Sequence, residues 1–140
     1  QKDFGIMLNV SSKDCFLWAV KMIYETTFLM ALCLTLIIEV PVLFLLTRFV
    51  FKNKKLSVRK IIISGLIAST LTLPYLWFVL PPYFPSNYYV FIGETLVVIF
   101  DTLIYMQVLE FKFRKAIIVS FVCNLASYLI GLYLLKYLIG

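Results

Sequence analysis

The chain has 140 residues, 63% of them hydrophobic and 14% charged, against about half apolar and about a quarter charged in a typical soluble domain. It has no histidine, which excludes Ser-His and Cys-His nucleophile pairs and removes the commonest metal ligand. Its net charge of +6 lies in short runs between apolar stretches, a pattern of membrane orientation rather than of nucleic-acid binding.

Residues 1–26 mix apolar side chains such as Phe4, Ile6, Trp18 and Ile23 with Lys2, Asp3, Lys13, Asp14 and Lys21. The interruptions predict a short helix lying in the outer membrane interface, capped by Ser11 or Ser12, or else a partly ordered leader. Gln1 stands where a methionine would begin a chain; a removed signal peptide or a later start are both open. Cys15 in this segment is either a free thiol or an intermolecular partner. Cys33 and Cys123 fall inside apolar spans and read as small hydrophobes.

Four stretches reach the roughly 20 residues a helix needs to cross the hydrocarbon core. They run over 27–50, 61–80, 89–109 and 116–137. None alternates with period two, so helices rather than barrel strands satisfy the backbone. The fold expected is an all-α, four-helix polytopic membrane protein of two hairpins, 27–80 and 89–140, joined by an outer loop at 81–88. The connection between spans one and two, counted from Arg48 to Lys60, carries six of the thirteen basic residues. The connection between spans three and four carries three more, at Lys112, Arg114 and Lys115. The middle connection, Pro81 to Asn87, has no charge. The positive-inside rule then places the basic connections in the cytoplasm and both termini outside. Pro81, Pro82 and Pro85 stiffen the outer turn, and Trp77, Tyr83, Tyr88 and Tyr89 suit that interface.

A shift of 55 residues superposes Glu39 on Glu94, Val42 on Val97, Thr47 on Thr102, Arg59-Lys60 on Arg114-Lys115, Ser69 on Asn124 and Thr72 on Ser127, without a gap across residues 37–72. Apolar coincidences between membrane spans carry little weight; the acid, the Arg-Lys pair and the small polar positions carry more. The expectation is a duplicated hairpin. Both copies begin on one side, so they are related by an axis along the membrane normal.

Polar groups inside the spans mark the candidate site. Glu39 lies in span one, and Glu94 and Asp101 lie two turns apart on one face of span three. Ser69 and Thr72 lie in span two, and Asn124 and Ser127 in span four. An ionised side chain at the bilayer centre costs on the order of 3 kcal/mol. No central Lys or Arg offsets these acids, so each must carry a proton, bind a cation or reach solvent. Three readings fit: a proton or cation pathway, hydrogen-bonded glue between helices, or a face that binds a membrane partner. Oxygen-rich sites suit hard cations, with the metal, if any, unspecified. Pro41 and Pro74 each remove a backbone donor and free a carbonyl one turn earlier. Gly65, Ala68, Ser120 and Gly131 are small enough for close helix contact.

No HExxH, GxSxG, Walker or GxGxxG motif occurs, and no cofactor or enzymatic activity is expected. Ile38-Glu39-Val40 resembles the membrane glutamate of small multidrug-resistance transporters over that one span. Those proteins lack a parallel hairpin repeat, and Glu94 and Asp101 depart from their pattern. The repeated Glu, basic loop and Ser-x-x-Thr or Asn-x-x-Ser order is similar to small four-helix prokaryotic integral membrane proteins, a resemblance that implies the fold and no activity. The function expected is a small proton- or cation-coupled transporter or channel in the cell membrane, assembled as a homo-oligomer or with a partner subunit. The alternative is a non-catalytic subunit or assembly factor that docks another membrane protein.

Overall fold

The computed structural model describes residues 12–53, 55–83 and 86–139. The segment 1–11, with Ser11, lies outside the described residues, as do Lys54, Phe84, Pro85 and Gly140. The described residues are helical and contain no strand. Helix α1 runs Ser12–Leu45, α2 Val58–Pro74, α3 Ser86–Val108 and α4 Phe113–Ile139. Each contributes to a stretch long and apolar enough to cross a membrane: Cys15–Val50, Val58–Val79, Tyr88–Val108 and Phe113–Leu134.

The chain divides into two units, Gln1–Met30 and Ala31–Gly140. The described part of the first is helical, and the expected boundary near Thr27 falls inside α1. The sequence gives a physical reason. Lys21 Nζ lies 3.8 Å from Glu25 Oε1, an i,i+4 pair on an exposed face. The hydroxyls of Thr26 and Thr27 donate to helical carbonyls one turn back, at Met22 and Ile23. The polar residues that interrupt the apolar run are therefore compatible with an unbroken helix.

The second unit is built around a polar interior. Helix α3 packs along both α2 and α4. The buried face of α2 is Ile61, Ser64, Gly65, Ala68, Ser69 and Thr72. That of α4 includes Ala116, Val119, Ser120, Cys123 and Asn124. Both stripes recur at i, i+3, i+4, i+7 and i+8, the spacing of one helical face, and most of their residues are small. At Gly65 a Cβ would stand 3.1 Å from Val40 Cγ2 and 3.3 Å from Leu43 Cδ2, so α1 approaches α2 as closely as a missing side chain allows. The outward faces carry large apolar residues, among them Ile37, Leu71, Phe100, Leu103 and Phe121. A protein with apolar residues outside and Glu39, Asp101 and Asn124 buried is arranged for lipid as its solvent.

Helices α1 and α2 both continue into short π-helical turns, Leu46–Val50 and Tyr75–Val79. The second follows Pro74 directly, and the Leu80 N–H reaches back to the Tyr75 carbonyl. The next partner in that pattern for the Leu76 carbonyl is Pro81, which has no N–H. The Tyr89 hydroxyl of α3 donates to that carbonyl instead.

The basic connections are tied to each other. The Phe51 and Phe111 rings lie 6.5 Å apart, and Lys115 Nζ stands 5.5 Å over the Phe51 ring. Lys60 donates to Glu110 Oε1 at 3.1 Å. Beneath them Leu43, Ile61, Tyr105, Leu109, Ala116 and Val119 form an apolar cluster. Lys52 and Glu110, which follow the two descending helical segments, adopt left-handed φ values of 48° and 56°, a common way to end a helix even without glycine.

Candidate functional site

Three carboxyl groups lie within the spans, each in a different state. Glu39 is 2% exposed. Ser69 Oγ of α2 donates to its Oε2 at 2.6 Å, and Ser127 Oγ of α4 to its Oε1 at 2.9 Å. Both serines also reach carbonyls of their own helices, Gly65 at 3.1 Å and Asn124 at 3.0 Å. Each therefore holds its single proton between a carboxyl oxygen and a helical carbonyl. Glu39 thereby joins three helices.

Asp101 of α3 is fully buried. Asn124 Nδ2 donates to its Oδ2 at 2.9 Å, and the Thr72 hydroxyl stands beside the carboxyl. Its Oδ1 is buried without a hydrogen-bond partner. Asn124 Nδ2 also donates to the Ser120 carbonyl at 3.0 Å, which fixes the amide on α4.

Glu94 is half-buried. No hydrogen-bond donor or counter-charge reaches it among the described residues, and it shares a cavity wall with another acid, Glu39. A cavity of about 210 Å³, lined by Thr35, Glu39, Trp77, Glu94, Asn124 and Tyr128 among others, joins the two glutamates. Thr35, Trp77, Glu94 and Tyr128 lie toward the Pro81–Tyr83 turn from Glu39 and Asn124 along their helices. Asp101 lies one step deeper, and Asn124 connects it to the cavity wall. Between Asp101 and the basic connections lies the apolar cluster, with Tyr105 and Leu109 of the α3 side among its members.

The structure thus brings six of the seven candidate residues into two clusters, Glu39 bonded to Ser69 and Ser127, and Asp101 bonded to Asn124 with Thr72 beside it. Glu94 lines the cavity beside them with no bond. Thr70, adjacent to Ser69, is exposed and donates to its own helix at Leu66, outside the network. Cys15 and Cys33 are exposed free thiols and Cys123 is a buried one. Among the described residues no three Asp, Glu, Cys or His side chains converge as a metal site. The groups nearest the carboxyls are hydroxyl and amide donors, which complement carboxyl oxygens rather than a cation.

Two buried polar atoms were not apparent from the motifs. Tyr105 Oη and Thr47 Oγ1 are both buried without a partner. Tyr105 is one turn beyond Asp101, and Thr47 two turns beyond Glu39. The helical face that carries each acid is the signal that finds them.

Apolar outside, carboxyl-bearing inside and built from four spanning-length helices, the chain is a multi-pass helical membrane protein. Comparison with protein families, curated proteins and solved structures returns no match.

Proposed function

We propose that the protein is a small carrier that moves protons or another cation across the cell membrane through Glu39, Glu94 and Asp101. The carrying observation is the cavity in the Pro-turn half, which holds two glutamates in its wall and leads through Asn124 to Asp101. A carboxyl group within a span is costly, and such groups mark proton relays and ion pathways. The apolar cluster and the Phe51–Phe111 contact lie toward the basic connections; in this reading movement alternates between two closures rather than following an open pore. The hydroxyl and amide donors around Glu39 and Asp101 favour the proton as the ion exchanged there. No catalytic role is assigned.

The basic connections face the cytoplasm in this reading, and the cavity faces out. A duplicated hairpin is supported by burial: Ile61, Gly65, Ala68 and Ser69 are buried at positions 55 residues before Ala116, Ser120, Cys123 and Asn124. The N–H groups of Ile61 and Ala116, also 55 apart, bond to the carbonyls of Ser57 and Lys112 in the same way. Lys60 and Lys115 each reach the other hairpin's connection, as a pseudo-two-fold relation requires.

The test is proton flux in liposomes containing the purified protein, beside the triple variant Glu39→Gln, Glu94→Gln, Asp101→Asn. Flux that is lost in a folded triple variant supports the carrier. Absent flux from folded wild type sinks it, and variants that dissociate a copurifying membrane protein favour the docking-subunit alternative. Thiol labelling of Cys introduced at Lys55 and Lys112 checks orientation; reaction from the outside would overturn it.

A further inference from the structure

Glu94 is shared by two cavities. Besides the one it forms with Glu39, it lines a groove of about 630 Å³ along α3 and α4. Asn124 and Tyr128 line both as well, so these three residues are the partition between them. The rest of the groove is apolar or nearly so, with Phe91, Ile117 and Phe121 among its walls. These side chains are exposed on the outward face of the two helices, where the acyl chains of a bilayer would lie.

Among the described residues no donor reaches the Glu94 carboxyl, whereas Glu39 receives two and Asp101 one. Asn124 is turned away from it, toward Asp101. A carboxyl within a span needs a proton, a cation, solvent or hydrogen-bond donors, and among the described residues Glu94 has no donor. An apolar trough with one unsatisfied carboxyl at its inner wall fits a molecule with an apolar body and a single cationic head. Because both carboxyl oxygens lack donors, the head should bring N–H groups.

We propose that the α3–α4 groove with Glu94 binds an amphipathic primary amine in its ammonium form, entering from the lipid side. The apolar body lies against Phe91, Ile117 and Phe121, and the ammonium donates to Glu94. Carriage of this amine rests on the carrier reading; its binding does not. Exchange would follow from the partition. The ammonium replaces the proton on Glu94, and a proton delivered from the Glu39 cavity displaces the ammonium, so charge balances at each step without another reactant.

The experiment uses the full chain in lipid nanodiscs with dansylcadaverine, which joins a primary ammonium to an aromatic body. Its controls are N-butyl dansylamide, which lacks the amine, and the trimethylammonium analogue, which keeps the charge but has no N–H. The expected result is saturable binding of the primary amine, weaker by about tenfold or more for the trimethylammonium analogue, since a charge-assisted hydrogen bond contributes about 1.5–3 kcal/mol. The neutral analogue should show no saturable binding above that of empty nanodiscs. Glu94→Gln should abolish binding. Ile117→Trp, which fills the trough without touching the carboxyl, should do the same while helicity is retained. Equal binding of the three probes, or binding indifferent to both variants, overturns the proposal. Proton flux measured on the same preparations separates the two ideas. Flux without amine binding leaves the carrier and removes this ligand; amine binding without flux leaves the site and removes the carrier.

Discussion

Removing the serine donors from Glu39 should destabilise the protein, and the two losses should compound. Ser69 and Ser127 donate to opposite oxygens of a carboxyl that is almost wholly buried, at 2.6 and 2.9 Å. Hydrogen bonds between membrane helices average about 0.6 kcal/mol and reach about 1.7, while bonds to charged groups run to about 1.5–3 kcal/mol. The short Ser69 bond at a buried site belongs near the overlap, so Ser69→Ala should cost about 1.5 kcal/mol. Ser127 is only partly buried and its bond is longer, so Ser127→Ala should cost about 1 kcal/mol. The double variant should exceed the sum by at least about 0.5 kcal/mol, because the second deletion strips a buried carboxyl of its last protein donor. Thr70→Ala is the control: that hydroxyl is exposed and bonds only within its own helix, so its change should stay within about 0.5 kcal/mol. The assay is reversible unfolding in mixed micelles followed by loss of helical circular dichroism. Serine variants as stable as Thr70→Ala would refute the assignment of Glu39 as the bonded centre of three helices.

Gly65→Val should cost about 1–3 kcal/mol in the same assay, because a Cβ there would already crowd Val40 and Leu43; Gly131→Ala, with open space around it, should be close to neutral. Glu110→Ala should change stability by no more than about 0.5 kcal/mol, since its bridge to Lys60 is largely solvent-exposed; a larger loss would mean the clasp between the basic connections carries more than its geometry indicates. Asp101→Leu should weaken dansylcadaverine binding severalfold, because Asn124 then becomes available to Glu94; unchanged affinity would show that the two acids do not compete for that amide.

The spans were legible because bilayer thickness fixes their length. The expected stretches 89–109 and 116–137 lie close to α3 and α4, and the buried faces follow small and polar residues. The start of α1 was not legible. Lys21, Glu25, Thr26 and Thr27 look like interruptions on a hydropathy scale, but the pair and the hydroxyl bonds satisfy them within a helix. The prolines pointed to irregular backbone, while the π-helical turn after Pro74 and the capture of the Leu76 carbonyl by Tyr89 depend on side chains 13 residues away. Within the site, residue types identified the members and could not give the pairings. A carboxyl and a hydroxyl on different helices meet only through helix rotation and register, which packing decides.

That limit matters most at Glu94. Under the proposed duplication, Ser69 corresponds to Asn124 and Glu39 to Glu94, so the simplest symmetric site would pair Asn124 with Glu94. Among the differences between the descending helices, one places a new acid: position 46 is leucine, and its counterpart, position 101, is aspartate. Asp101 takes the Asn124 amide, and Ser127 crosses to Glu39. Two acids are thus held by donors, and the third faces both cavities without one among the described residues. In a scaffold whose polar groups serve only to join helices, this is the arrangement least expected, because an unbonded carboxyl adds desolvation cost and no contact. A carrier needs that asymmetry: the bonded acids hold the helices in register, and the unbonded one is available to an ion or ligand that comes and goes.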